Sequence, residues 1–238
     1  MSELYNSAIS KHYAAYRPPI HEILLNENIF SEKLFQCGLD VGCGTGVSTM
    51  ALSKYCQVVH GVDPSAAMIS RAKSRDGVSY YVAAGENVPL GDNTVDIVTF
   101  AGSLPYAESD ALLREVNRVC IPNASVIVYD FEVLLCDSMS HLGISMDLSE
   151  PNYDHAINLS DCDDFDELIV HQNSLSLDVS STQLAHIIFS SSKRYAHLAG
   201  HFGDDGLFMR VVSLLNSISE AHCIKVDAYF SMYQASGA

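Results

Sequence analysis

Residues 39–46, Leu39-Asp40-Val41-Gly42-Cys43-Gly44-Thr45-Gly46, place three glycines at alternate positions directly after an apolar strand signal. Glycine there lets the backbone turn tightly, lets a ligand come into contact with main-chain atoms, and lets the next helix start close against the strand. The spacing is G-x-G-x-G. In G-x-G-x-x-G, a dinucleotide pyrophosphate rests on the helix N-terminus and the third glycine falls one residue later, so the run argues against a nicotinamide or flavin dinucleotide. A second carboxylate completes the pattern. Residues 57–63, Gln57 to Asp63, read as a buried strand ending in an acid about twenty residues beyond the glycines, the interval at which a carboxylate can take up a ribose diol. Asp63 is therefore a candidate ribose ligand, with an N-cap for the following helix as its alternative use.

Strands and helices must alternate to hold those loops. Leu34 to Val41 reads as a first strand, and Val47 to Tyr55 as a helix opened by Thr45 or Gly46. Val58 to Asp63 is a second strand, followed after Pro64 by a helix from Ser65 to Ser74. Tyr80 to Ala84 is a third strand. Val95 to Ala101 and Ala124 to Phe131 are near-continuous β-branched and aromatic runs, as in central strands buried on both faces. Between them Leu112, Leu113, Val116 and Val119 recur at helical spacing, so Ser109 to Cys120 is an amphipathic helix, and Pro122 closes that connection. Ile20, Ile23 and Leu24 recur at helical spacing near the start. Glu132 to Asp166 is polar, acidic and without firm periodicity, the pattern of a variable, substrate-facing insert. Beyond it, Glu167 to Val179 alternates as a strand, Gln183 to Leu198 and Gly206 to Ile218 are helical, and Cys223 to Tyr233 is a final strand.

Leu39 to Gly46 together with residues 61–65, Gly61-Val62-Asp63-Pro64-Ser65, resemble the signature of class I methyltransferases that use S-adenosylmethionine. The likeness continues through Gly85 to Leu90, Asn93 to Val98 and Leu112 to Pro122, in the order of the small-molecule branch that includes the ubiquinone and menaquinone biosynthesis enzymes and the trans-aconitate methyltransferases. It covers roughly residues 10 to 131. It implies an α/β, Rossmann-like fold: a seven-stranded, mostly parallel sheet with an antiparallel last strand and helices on both faces. Residues 1–238 are then a single methyltransferase domain, with 1–30 as an N-terminal helical cap and 132–220 containing the substrate-facing insert. S-adenosyl-L-methionine is the implied cofactor and S-adenosyl-L-homocysteine the product.

The resemblance also implies residue roles. Asp40 would reach the cofactor's ammonium directly or through water, or else orient the loop amides. Gly42, Gly44 and Gly46 would allow close approach of the methionine and ribose portions. Cys43 would touch the ligand or fill space as a small hydrophobe. Pro64 and Met68 follow Asp63, and Met68 would lie under the adenine or belong to the core. Ala84-Gly85-Glu86 corresponds to the adenine loop, where relatives commonly carry Asp at the position of Ala84. Ala101 to Ser103 would end the fourth strand beside the sulfonium, and Ser103 and Tyr106 would face the acceptor. Tyr13 to Pro18 resembles the family's Y-x-x-x-R-P entrance segment. In that segment Arg17 would pair with the methionine carboxylate or stand exposed, and Tyr13 would meet the substrate.

Composition narrows the partners. With 29 acidic against 13 basic side chains the formal net charge is −16, and no basic stripe suits a nucleic acid or an anionic membrane. No signal peptide or apolar run long enough to span a bilayer is read in the sequence, which leads to the expectation of a cytoplasmic protein. Seven cysteines without a C-x-x-C pair fit reduced thiols rather than a disulfide framework or zinc module. His197 and His201 have a metal-like spacing without a third ligand, so no metal is expected. Methyl transfer needs a base only if the acceptor must lose a proton. His12, Tyr13, His141, His155 and His201 are the candidates, and no motif singles one out.

The expected function is methyl transfer to a small-molecule acceptor, with the O, N or C acceptor atom and the oligomeric state open. The rival is a nucleoside-binding or regulatory protein that keeps the fold without the reaction.

Overall fold

The computed structural model describes residues 9, 11, 12, 15–29, 35–145 and 153–236. Its elements run α1 (Ile20–Asn28), β1 (Phe35–Val41), α2 (Val47–Leu52), β2 (Cys56–Asp63), α3 (Ala66–Ile69), β3 (Val78–Val82), β4 (Val95–Ala101) and α4 (Leu104–Ala107). They continue with α5 (Asp110–Val119), β5 (Cys120–Leu134), α6 (Cys136–His141), β6 (Phe165–Ser180), α7 (Ser181–Phe189), α8 (Ser192–Phe202), α9 (Leu207–Ile218) and β7 (Ala221–Ala235). Two compact units divide the chain: a larger one of Pro19–Phe131, Asn152–Asn173 and Ala228–Ala238, and a smaller one of Met1–Pro18, Glu132–Pro151 and Ser174–Asp227.

The larger unit is built on the sheet, whose strand order is β3-β2-β1-β4-β5-β7-β6. β1 pairs in parallel with β2 and β4, β2 with β3, and β4 with β5. β7 runs the other way. Ser231 donates to the Val128 carbonyl and Gln234 to that of Asn123, so partner numbers fall on one strand as they rise on the other. The apolar residues Leu39, Val41, Val95, Ile97, Val98, Phe100 and Val126–Tyr129 are buried because helices cover both faces of these central strands. The order reverses between β1 and β4, which places a crevice at the carboxyl ends of β1, β2 and β4. These features make the seven-stranded Rossmann-like sheet that the sequence implies.

Helix α5 shows why such segments fold where they do. Ser109 caps it by accepting from the Leu112 N–H at 3.1 Å, Asp110 and Arg118 suit its two dipole ends, and Leu112, Val116 and Val119 are buried on the sheet. The helix expected over Ser65 to Ser74 stops at Ile69 instead. It buries no residue, and in Ser70 to Asp76 Ala72 is the one apolar side chain, too little to hold further turns. Pro122 does not close the connection before β5 but lies exposed inside it. The β4–β5 register shifts between Val95 and Ile97 there, so the proline's missing donor costs no ladder bond.

The smaller unit has its own core. Leu135, Met139 and Leu142 from the α6 region join Val179, Leu184, Ile188, Phe189, Leu198, Val211 and Leu215. The stretch after Phe131, read as aperiodic, thus carries a short helix whose apolar residues recur three and four apart. The helix expected over Gln183 to Leu198 is two. Ser191 caps α8, and the Arg194 guanidinium donates to the Ile187 and Ile188 carbonyls at 3.0 Å, closing the end of α7. Among the described residues, no helix is long and apolar enough to cross a membrane.

Candidate functional site

The glycine loop leaves β1 with three residues in the left-handed region: Gly42 at φ +73°, Gly44 at +53° and Gly46 at +80°. The three have different surroundings. A Cβ on Gly42 would stand 2.4 Å from the Ser103 Cβ, and one on Gly46 would stand 2.3 Å from the Tyr80 hydroxyl. A Cβ on Gly44 would meet nothing within 4 Å. Gly42 and Gly46 are thus glycines because the fold closes on them, whereas Gly44 borders open space. The Gly42 and Cys43 N–H groups both donate to the Val62 carbonyl, at 2.8 and 3.0 Å, which fixes the loop to the end of β2.

Asp63 closes β2 beside that open space. Its Oδ2 accepts from the Gly44 N–H at 2.9 Å and its Oδ1 from the Ser65 N–H at 2.8 Å. Ser65 itself caps α3, so the acid orders the turn without being its cap. A carboxylate has about four acceptor sites, so two remain.

Asp40 is fully buried, and hydroxyls converge on it. Ser48 and Thr49 donate to Oδ2 at 2.7 and 2.6 Å, and Thr99 donates to Oδ1 at 3.0 Å. Burial pushes its carboxyl above the ordinary range, with the three hydroxyls opposing and Asp63 adding to the rise. The side chain joins the ends of β1 and β4 to the first turn of α2, at the base of the loop.

The remaining predicted residues lie around this centre. Cys43 is buried with its sulfur against Gly61, and burial pushes its thiol far up, so it packs and is not a thiolate at neutral pH. Pro64 and Met68 are exposed. Ala84 and Glu86 are exposed, while a Cβ on Gly85 would stand 2.5 Å from Leu112, which seats that loop on α5. Ala101 ends β4. The Ser103 hydroxyl donates to the Val41 carbonyl and its methylene fills the space beside Gly42, so this residue shapes the glycine loop. Tyr106 is 77% exposed, its ring 5.5 Å from that of Tyr153. Arg17 is half-buried in the smaller unit, and Tyr13 lies outside the described residues. All the others belong to the larger unit.

Of the candidate bases, His12 is in the smaller unit, its Nδ1 3.0 Å from that of His186. His141 and His201 are exposed there, as is His197. His155 meets the Asp130 carboxylate at 2.7 Å, an acid that the sequence reading passed over. Asp130 follows the apolar run Val126–Tyr129 just as Asp40 and Asp63 follow theirs, and an acid after an apolar run was the available signal. Tyr153 donates to the same oxygen at 2.8 Å, and nothing in its surrounding sequence marks it. Ser48, Thr49 and Thr99 were also missed, although Thr99 is a polar residue in an otherwise apolar run. No group of three or more His, Cys, Asp or Glu among the described residues could hold a metal ion.

Residues 39–128 match the methyltransferase domain. The chain is 30% identical over 129 residues to a Dictyostelium discoideum protein assigned as a methyltransferase, covering 53% of this chain and 49% of that one. It is 37% identical over 94 residues to the demethylmenaquinone methyltransferase of Corynebacterium kroppenstedtii, covering 39% and 41%. The chain thus spans about half the length of the curated relatives it matches. Its fold resembles that of an Anaeromyxobacter dehalogenans protein assigned as a type II methyltransferase, with a TM-score of 0.64, 19% identity and coverage of 92% and 97%.

Proposed function

We propose that this chain, whose residues 39–128 match a methyltransferase domain, transfers the methyl group of S-adenosylmethionine to a small-molecule acceptor. The observation that carries the reading is the clasp of Gly44 and Asp63 around open space at the carboxyl ends of β1 and β2. The residues present fit the nucleoside. Asp63 keeps two acceptor sites for two ribose hydroxyls, Gly44 leaves room beside the main chain, and the loop of residues 84–86, assigned to the adenine, follows Ala83, whose N–H donates to the Asp63 carbonyl at 3.1 Å. When bound, the nucleoside supplies an electrophilic methyl carbon on a positively charged sulfur. The chain's residues hold it, orient the acceptor and exclude water. Asp40 acts through the loop, since three hydroxyls occupy its oxygens and it is fully buried.

A small-molecule acceptor is favoured by charge. At a formal net −16 the surface repels a phosphate backbone.

Calorimetric titration with S-adenosylmethionine, S-adenosylhomocysteine and NAD tests the reading. Micromolar binding of the two sulfur nucleosides and none of NAD is expected. Absence of binding to a folded protein would sink it. Binding without turnover on any acceptor would favour a nucleoside-binding regulator, for which the alanine at position 84, in place of an adenine-binding acid, is the supporting observation.

A further inference from the structure

Three donors converge on Asp130, which lies within β5 directly after the apolar run Val126–Tyr129. Oδ1 accepts from the Phe131 N–H at 2.7 Å, while Oδ2 accepts from the Tyr153 hydroxyl at 2.8 Å and lies 2.7 Å from His155 Nδ1. A carboxylate accepting in this way has no hydrogen to give, so Nδ1 carries the hydrogen of the His155 bond. That leaves Nε2 of the neutral ring with its lone pair, and among the described residues it has no hydrogen-bond partner.

The cluster lies next to the glycine loop. The Tyr153 hydroxyl is 3.4 Å from the Gly102 carbonyl, and the following residue, Ser103, donates to the Val41 carbonyl beside Gly42. A Cβ on Gly102 would approach the Asp130 carboxylate to 3.0 Å. The His155 ring is held edge-on to Tyr153 at 4.6 Å and stacked on Tyr229 at 5.6 Å. It lines a cavity of about 180 Å³ together with Asn158, His171 and Gln172. Tyr106 adds an exposed ring beside Tyr153. Such a set of aromatic faces suits a planar aromatic molecule.

We propose that His155, positioned by Asp130, is the general base for an acceptor that carries an aromatic hydroxyl. The inference rests on the methyl-transfer reading. As the acceptor oxygen bonds to the methyl carbon, the carbon–sulfur bond breaks with its electron pair left on sulfur, which becomes a neutral thioether. The hydroxyl proton passes to His155 Nε2, Asp130 faces the resulting imidazolium, and the proton then leaves to solvent through a side chain that is 25% exposed. Tyr153 does not compete for this task. Burial and then Asp130 push its phenol far up, so it stays a donor. The groups facing His155 are Asp130 from β5, Tyr153 from its own loop, Tyr229 from β7 and, across the cavity, His171 from β6.

The first measurement needs no cofactor. In the ligand-free full chain labelled with ¹⁵N-histidine, with the signal assigned by His155→Gln, the neutral ring is expected to hold its hydrogen on Nδ1 and to lose that preference in Asp130→Asn. A hydrogen on Nε2 in the unmodified protein overturns the proposal. The second measurement follows labelled methyl transfer from S-adenosylmethionine to 4-methylphenol and 4-nitrophenol, with S-adenosylhomocysteine binding measured in each variant. His155→Gln should bind the nucleoside normally and slow transfer to 4-methylphenol by about 10²- to 10³-fold. The already ionised 4-nitrophenol should lose less than about tenfold, since it needs no base. Equal loss on both phenols, no loss on either, or no transfer to any phenol by a protein that binds S-adenosylhomocysteine overturns the base. Failure to bind S-adenosylhomocysteine removes the methyl-transfer reading and this inference with it.

Discussion

The backbone N–H of Gly44 donates to the Asp63 carboxylate at 2.9 Å, yet a Cβ on Gly44 would meet no atom within 4 Å. One side of this residue thus ties the ends of two parallel strands together while the other borders open space. Its flanking glycines are enclosed, so the three positions of one motif answer to different physics, and mutation separates them.

Gly44→Val should abolish binding of S-adenosylhomocysteine while leaving a folded protein. The branched side chain projects into the space that the nucleoside needs, and the left-handed backbone costs about 1–2 kcal/mol for a residue with a Cβ. Gly42→Ala should instead lower the melting temperature further, because its Cβ would collide with Ser103 at 2.4 Å. Calorimetry and thermal melts on both variants check this. Normal binding by Gly44→Val would mean that the site is misplaced.

Asp63→Asn keeps the shape and one acceptor oxygen but removes the charge that ribose hydroxyls would meet. Hydrogen bonds to a charged group contribute about 1.5–3 kcal/mol, so affinity for S-adenosylhomocysteine should fall about 10- to 150-fold. The melting temperature should also fall, with about 1–3 kcal/mol of stability lost, since the amide oxygen can accept from only one of Gly44 and Ser65 and the amide nitrogen faces the other N–H. A variant that unfolds instead would make Asp63 a structural residue.

His12 and His186 set a pH dependence in the smaller unit. Burial depresses both below the ordinary 6.5, and for His12 the charge of His186 adds to the effect. The unfolded chain therefore takes up protons first as pH falls. Stability should be fully present above about 6.5 and decline below it, through the depressed folded values. Melting curves from pH 7.5 to 5 should show this slope in the unmodified protein and a shallower one in His12→Phe, whose ring can keep the contacts with Phe189 and Phe208. Parallel slopes would show that the pair does not carry the effect.

Much of the larger unit was legible because its central strands are continuous apolar runs and its glycines mark a turn that few other residues can make. The carboxylates Asp40 and Asp63 were visible as acids that follow apolar residues, and Asp130 carries the same mark. Tyr153 and His155 were not readable as its partners, because tertiary folding alone brings an aperiodic loop over β5. Gly42 and Gly44 look alike in sequence, and only the side chain of Ser103, 61 residues after Gly42, distinguishes them. The early end of α3 was hidden for a similar reason, since its length depends on a packing surface that the local sequence does not show.

Arg118 braces the connection that follows the candidate adenine loop. Its guanidinium donates to both oxygens of Glu115 at 2.8 Å, to Asp92, and to the carbonyls of Leu90 and Val88 at 3.0 and 3.2 Å, while Glu115 accepts from the Val88 N–H at 2.7 Å. Hydrogen bonding from Arg118 holds the Glu115 carboxyl below its ordinary 4.5. Arg118→Met keeps the aliphatic stem and removes the fork. The arginine is 34% exposed on its side chain, so screening limits the loss to about 1–2 kcal/mol. A carboxylate held low stabilises above its unfolded value and ceases to do so as pH falls through the folded one. The difference in melting temperature between the two proteins should therefore be full at pH 7 and shrink below about pH 4.5. Binding of S-adenosylhomocysteine should weaken only a few-fold, through a looser loop at residues 84–90. A large loss of binding with no change in stability would make Arg118 a ligand contact and not a brace.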